Sequence, residues 1–346
     1  MQLDKIFRTA IQYKASDVYI TTGSKPILRI NGDLINIEEH PVFTKKMAEE
    51  FILETMTEEQ KNYFAKNLDL DFSLDVPSIS RFRVNVAVQR KGIAAFFRLI
   101  PEVVYSIDEL GLPETLKRIC DFNNGLVIVT GPTGSGKSTT MAAMVNEINV
   151  NEAQHIITIE DPIEFVHENK KSILDQREVK NHTQSFTNAL RASLREDPDV
   201  ILVGEMRDLE TISLAITAAE TGHLVFATLH TSGASKSVDR MIDAFPFEQQ
   251  NQIRAQLSES LRAIIWQQLL KTKDGKGRIA PLEILMNNSG VANMIRKGKT
   301  HQINSAIETG FKEGMQTMKK AVSDMLEADL ITEEEATKAM PPEFEA

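Results

Sequence analysis

The spacing of apolar positions changes near residue 100 and again near residue 286. In residues 2–14, Leu3, Ile6, Phe7, Ala10 and Ile11 recur at helical spacing and predict an amphipathic helix. Three short strand-like runs follow at 18–21, 27–30 and 34–37, and Asn31-Gly32 between the last two is a strong hairpin signal. Residues 44–67 predict two helices, the second opening on Thr57-Glu58-Glu59-Gln60. Apolar and polar residues alternate over 68–75 and 81–88, and Lys91-Gly92 turns the chain into a third such run at 93–100. Residues 1–100 therefore predict an α+β domain with an antiparallel sheet.

From Leu126 the pattern becomes short apolar runs separated by helical stretches, the mark of a parallel sheet with crossover helices. Strands are expected at 126–130, 155–160, 199–204, 223–229 and near 279–286. Helices are expected at 137–148, 185–195, 208–220, 234–243 and 247–270. Beyond 286 the chain is helical, with segments near 288–297, 300–309, 314–328 and 332–339, the last ended by Pro341-Pro342. Pro101 begins a loop and Pro113 lies near the next helix start. This places a linker at 101–112 and a second, α/β domain at 113–346, with C-terminal helices from about 288.

Composition narrows the class. The 346 residues suggest about two domains, and 42% hydrophobic with 25% charged residues is an ordinary globular balance. A net charge of −10 argues against broad nucleic-acid binding. One cysteine, Cys120, builds neither a disulfide framework nor a cysteine-based zinc site, which fits a reducing cytoplasm. The N-terminal residues lack a signal-peptide pattern, and no apolar run approaches the ~20 residues of a membrane span. A membrane role is expected to pass through a partner.

The chemistry centres on residues 125–139. An apolar strand runs into Gly131-Pro132-Thr133-Gly134-Ser135-Gly136-Lys137-Ser138-Thr139, the complete phosphate-loop pattern in its strand–loop–helix setting. The glycines let backbone N–H groups curl around phosphate oxygens, and the helix start turns its positive end to them. Lys137 would reach the β- and γ-phosphates of ATP, and Ser138 would offer its hydroxyl to Mg²⁺.

Other motifs fall where a doubly wound sheet puts its ligands, beyond the strand ends. Ile156–Ile159 closes on Glu160, Asp161 and Glu164. One of these carboxylates would orient or deprotonate the attacking water, and others would help hold Mg²⁺ through water. Val200–Val203 closes on Gly204-Glu205, with Glu205 as the acid of a Walker B strand. His223 and His230 bracket a further strand; they are either structural or sensors of phosphate through hydrogen bonds to it or to the carboxylates, with metal binding disfavoured because no cluster of further ligands accompanies them. Arg81, Arg83 and Arg98 lie on consecutive strands of the first domain. They are either solvated ion-pair partners or a charge clamp on ATP at an interface.

Together these segments resemble the secretion-superfamily ATPases of type II secretion and type IV pili, nearest to the pilus-retraction branch. The likeness includes Lys14-Ala15-Ser16-Asp17, Arg81-Phe82-Arg83-Val84-Asn85, Gln176-Arg177-Glu178-Val179 and Gly298-Lys299-Thr300-His301-Gln302-Ile303. The resemblance implies a PAS-like N-terminal domain, a RecA-like P-loop ATPase domain and a homo-hexameric motor. That motor would act on an inner-membrane platform protein of the pilus machinery from the cytoplasmic side. It implies Glu164 as general base, His223 and His230 as a paired histidine box, and arginine fingers among Arg81, Arg83 and Arg98.

The chain departs from the family where Val-Gly-x-Asp-Thr is replaced by Val179-Lys180-Asn181-His182-Thr183. It departs again where Ala-Ile-Arg-Asn-Leu-Ile-Arg is replaced by Gly290-Val291-Ala292-Asn293-Met294-Ile295-Arg296, and where Asp17-Val18-Tyr19-Ile20 stands for Asp-Leu-His-Leu. Accessory retraction, pilus assembly or secretion, a RecA-like nucleic-acid translocase and a nucleotide-binding regulator are the alternatives.

Overall fold

A computed structural model describes residues 3–30, 32–100 and 103–340. Asn31 of the hairpin signal, the loop start at Pro101 and the stop at Pro341-Pro342 lie outside the described residues. The chain divides after Val103 into two units.

In the first unit, α1 (Asp4–Gln12) buries Ile6, Phe7 and Ala10 along one stripe. It is followed by β1 (Asp17–Thr21), β2 (Ile27–Ile30), β3 (Asp33–Asn36), α2 (Lys45–Leu53), α3 (Glu58–Asn67), β4 (Asp69–Val76), β5 (Ser80–Gln89) and β6 (Gly92–Ile100). The six strands form one sheet in the order β3-β2-β1-β6-β5-β4, antiparallel throughout. Thr57 and Gln60 make both halves of a capping box at the start of α3, which satisfies N–H groups the helix cannot pair itself. Phe7, Phe82 and Phe97 meet in the core, with ring centroids 4.3 Å (Phe7–Phe82) and 5.1 Å (Phe7–Phe97) apart. Because strand side chains alternate, burying Phe82, Val84 and Phe97 turns Arg81, Arg83 and Arg98 to the opposite face. Arg83 stands directly across from Arg98 in the β5–β6 register.

The second unit runs α4 (Thr115–Cys120), β7 (Gly125–Thr130), α5 (Lys137–Asn151), β8 (His155–Glu160), β9 (Ile173–Glu178), α6 (Phe186–Ser193), β10 (Val200–Val203), α7 (Leu209–Glu220), β11 (Leu224–Leu229), α8 (Ala234–Asp243) and α9 (Phe247–Ser260). It continues with β12 (Leu261–Gln267), β13 (Leu270–Lys271), β14 (Arg278–Ile279), β15 (Leu282–Met286), α10 (Ser289–Arg296), α11 (Ile303–Thr309), α12 (Met318–Glu327) and α13 (Glu333–Ala339). Seven strands form a sheet in the order β15-β12-β7-β11-β10-β8-β9, parallel except for β15. Every residue of β7, β10 and β11 is buried, as expected of strands covered on both faces. Two apolar clusters fill the two sides, and a third, around Trp266, Leu270, Met318 and Val322, joins α12 and α13 to the β12–β13 strand end.

Several boundaries differ from the sequence-based expectation. The helix expected over 247–270 stops at Ser260, and residues 261–267 form a strand beside β7. The run Leu-Arg-Ala-Ile-Ile-Trp-Gln is too short to hold a helical period, and its β-branched and aromatic residues suit a buried strand. β9 has no apolar run to predict it, because as an edge strand it carries Asp175, Gln176 and Arg177. The strand near 279–286 is broken at Pro281 into β14 and β15. Segment 104–112, expected as linker, places Ile107 and Leu112 in the core of the second unit.

Candidate active site at the phosphate-binding loop

β7 delivers Gly131 to Gly136 as a loop, and α5 begins at Lys137. Pro132, Thr133 and Gly134 form an exposed crown, whereas Gly131, Ser135 and Lys137 are buried. Gly136 caps the helix at φ 86°, a left-handed geometry that a β-carbon opposes. The Lys137 ammonium donates to Gly131 O at 2.8 Å and Pro132 O at 3.0 Å, inside the curl. Burial holds its pKa below the ordinary lysine value, while Glu205 and Glu164 work the other way and favour the charged form. Of the four strand-end carboxylates, Glu164 and Glu205 therefore act on the loop lysine.

The Walker B strand is tied to its neighbour where the chemistry would occur. The Thr228 hydroxyl donates to Gly204 O, and Met206 N–H donates to Thr228 O at 3.1 Å. Beyond these ties, Glu205 Oε1 lies 3.3 Å from His230 Nε2, and Oε2 accepts from Arg207 at 2.7 Å. Burial favours the neutral acid, but Arg207 and His230 outweigh it and hold the Glu205 carboxyl below its ordinary value. No motif role marks Arg207 in the sequence. Its signal was its place two residues beyond a strand-end acid. Thr130, at the end of β7, accepts from Thr231 N–H at 2.9 Å, which fixes the loop strand against the His230 segment.

The acid segment after β8 is braced by β9. Ile163 N–H donates to Glu178 Oε2 at 3.0 Å, Gln176 Nε2 donates to Phe165 O at 2.9 Å, and His167 N–H donates to Gln176 Oε1 at 2.8 Å. Glu164 is exposed. Glu160 is more enclosed and accepts from the Thr158 hydroxyl at 2.7 Å and from Glu164 N–H at 3.4 Å. It lines a cavity of about 40 Å³ with Ser138, Thr158, His167, Gly204 and Thr228, room for a water or two beside the α5 start. Burial pushes the Glu160 carboxyl up to about 7, against the hydrogen bonds that favour its anion. Burial and Lys170 lower His167 to about 4, so that its ring is neutral at neutral pH.

Glu160 makes stability pH-dependent. Its folded pKa of about 7 lies above the ordinary 4.5, so the folded state holds the proton longer and loses stability as pH climbs between those values. Glu160→Gln copies the protonated form. Without nucleotide or metal, it is expected to raise the thermal midpoint at pH 8, by at most about 3 kcal/mol of stability, and to leave it unchanged near pH 4. Melting curves at the two pH values check this. An equal effect at both would remove the titration as its cause.

Not every expected residue arrives. His223 lies before β11, beside Gly125 at the start of β7, and its ring Nδ1 bonds Ala218 O at 2.9 Å. His230 lies past the other end, so roughly 20 Å of strand separates the two rings. The expectation that both histidines sense phosphate at one loop is corrected: only His230 meets Glu205. Arg98 donates through Nε to Asp17 at 2.9 Å, an ion pair between neighbouring strands of the first unit. In the Val179–Thr183 departure, Lys180 takes φ 73°, where the family pattern has glycine, and the His182 ring accepts Glu178 N–H at 3.0 Å.

A parallel sheet carrying a phosphate loop, a strand-end acid on β10 and a second acid segment after β8 defines a RecA-like P-loop ATPase. The family described as "Type II/IV secretion system protein" matches residues 1–338, and the chain belongs to it. It is 52% identical over 331 residues to the "Twitching motility protein" of Neisseria gonorrhoeae, covering 94% of this chain and 88% of that one. It is 48% identical over 344 residues to the "Type IV pilus retractation ATPase PilT" of Pseudomonas aeruginosa PAO1, covering 99% of each. A crystal structure of the pilus retraction motor PilT with bound ADP superposes with a TM-score of 0.92 at 45% identity, covering 98% of this chain and 97% of that one.

Proposed function

We propose that this protein is the ATP-driven motor of type IV pilus retraction. The observation that carries this reading is the curled loop holding Lys137 between its own carbonyls and the field of Glu164 and Glu205. Near-full-length likeness to proteins named for retraction and twitching supports the biological assignment.

Residues Gly131 to Thr139 bind the phosphates of ATP, with Lys137 on the β- and γ-phosphates. Glu164, exposed beside the loop, orients and deprotonates the attacking water. Glu205 holds His230 in place, and His230 reports the state of the γ-phosphate. Ser138 and Glu205 offer oxygen donors that fit Mg²⁺, the latter through water. Among the described residues no cluster of three His, Cys, Asp or Glu could hold a metal alone, which suits an ion that keeps waters and substrate phosphates as ligands. Bound Mg²⁺ would neutralise charge developing on the phosphate oxygens.

Arg81, Arg83 and Arg98 are the arginine-finger candidates, acting across an interface in a homo-hexameric ring. Closure of each interface on ATP and its release after hydrolysis would drive a platform protein of the pilus machinery. Among the described residues no helix is long and apolar enough to cross a membrane, so attachment to the inner membrane runs through that partner.

A deletion strain tests the reading. Retraction predicts surplus pili that do not retract, restored by the wild-type gene and not by one encoding Lys137→Ala. Absence of pili would instead make the protein an assembly ATPase. Retraction that persists at reduced force would make it an accessory motor, a reading favoured by the altered Gly290-Val291-Ala292 segment.

A further inference from the structure

Gln267, the last residue of β12, reaches the phosphate loop from outside every motif read in the sequence. Its Nε2 donates to Ser135 O at 2.7 Å, and its Oε1 accepts from the Thr140 hydroxyl at 2.8 Å. Chemistry fixes this orientation. A backbone carbonyl can only accept, so the amide nitrogen must face Ser135, which leaves the oxygen for Thr140. Gln267 and Thr140 are each 1% exposed and Ser135 2%, so water does not replace either bond.

Ser135 O belongs to the same peptide plane as Gly136 N–H. In a trans peptide the carbonyl and the N–H point in opposite directions. Holding the carbonyl toward β12 therefore turns Gly136 N–H away from it. The Thr140 contact pins the first turn of α5 to the same side chain, so loop and helix cannot tilt apart.

The loop glycines fit the same neighbour. A β-carbon at Gly131 would lie 2.2 Å from Gln267 O, and one at Gly136 would lie 2.8 Å from Gln267 Nε2. The strand-end backbone therefore excludes a side chain at Gly131, while at Gly136 the φ of 86° and the seated Gln267 amide both disfavour one.

We propose that Gln267 is a positioning residue of the ATPase site, fixing the Ser135–Gly136 peptide so that Gly136 N–H is aimed at the nucleotide phosphate. This rests on the reading that the loop binds nucleotide. The test uses the full chain carrying Gln267→Met, which keeps length and apolar packing but loses both bonds, and Thr140→Val, which loses one. ADP affinity by calorimetry, KM and kcat for ATP, and the nucleotide-free thermal midpoint are measured together.

Gln267→Met is expected to weaken ADP binding about tenfold and to raise KM for ATP in step. Thr140→Val should fall between it and wild type. The double variant should be no weaker than Gln267→Met, because both act through one network. A lowered thermal midpoint with unchanged ADP affinity and KM would overturn the proposal and leave Gln267 a packing residue. If Gln267→Met does not fold, Thr140→Val decides, with a threefold or larger loss of ADP affinity supporting and an unchanged affinity overturning. Wild type failing to bind ADP would overturn this proposal and the nucleotide reading together. Wild-type binding with indifferent variants would overturn only this one.

Discussion

Lys137→Ala is expected to lower kcat/KM for ATP by about 10³-fold or more, equivalent to about 4 kcal/mol of transition-state stabilisation. Lys137 is 8% exposed and its ammonium is held by two loop carbonyls, so it is aimed before substrate arrives. Pre-aimed charge costs little reorganisation as charge moves onto the leaving β-phosphate. Glu164 and Glu205 keep that charge in place against the burial that would strip it. Alanine is a strong helix former at the first position of α5, so the helix should persist. Steady-state turnover of the purified variant, with a melting curve to establish folding, checks the prediction. Wild-type turnover would place the active site elsewhere.

Glu164→Gln is expected to cut kcat by about 10²- to 10⁴-fold while ADP affinity stays within about threefold of wild type. The substitution removes the proton-accepting oxygen and leaves the volume and the Glu164 N–H contact to Glu160 in place. Glu160 supplies the contrast. It too lies on the acid segment, but it is enclosed and carries a proton over much of the neutral range. Glu160→Gln is therefore expected to cost less than about tenfold in kcat at pH 6, where it resembles the native protonated form. Rapid turnover by Glu164→Gln with a dead Glu160→Gln would transfer the role of base to Glu160.

The contrast between these two glutamates shows where a linear reading stops. Both belong to Glu160-Asp161-Pro162-Ile163-Glu164, and either could be written as the base. Their environments separate only when Thr158, Gln176 and the Ser138 cavity close around Glu160. The histidines make the same point. His223 and His230 are symmetric about an apolar run, yet parallel strands in one sheet put one ring at the site end and the other at the far end. Strand β9 and the Gln267 contact were illegible for a related reason, since an edge strand has no apolar signature and Gln267 stands more than a hundred residues beyond the loop it holds.

By itself, the order of residues determined the phosphate loop, the strand-end acids, most helices and the change from antiparallel to parallel architecture. Each of these is a local matter: glycine spacing, capping, period and strand-end chemistry act over a few neighbouring residues. Tertiary structure alone decided which carboxyl is enclosed, which histidine meets Glu205 and what holds Ser135. Those depend on burial and on contacts between segments far apart in the chain, and such contacts leave no period in the sequence for a local rule to read.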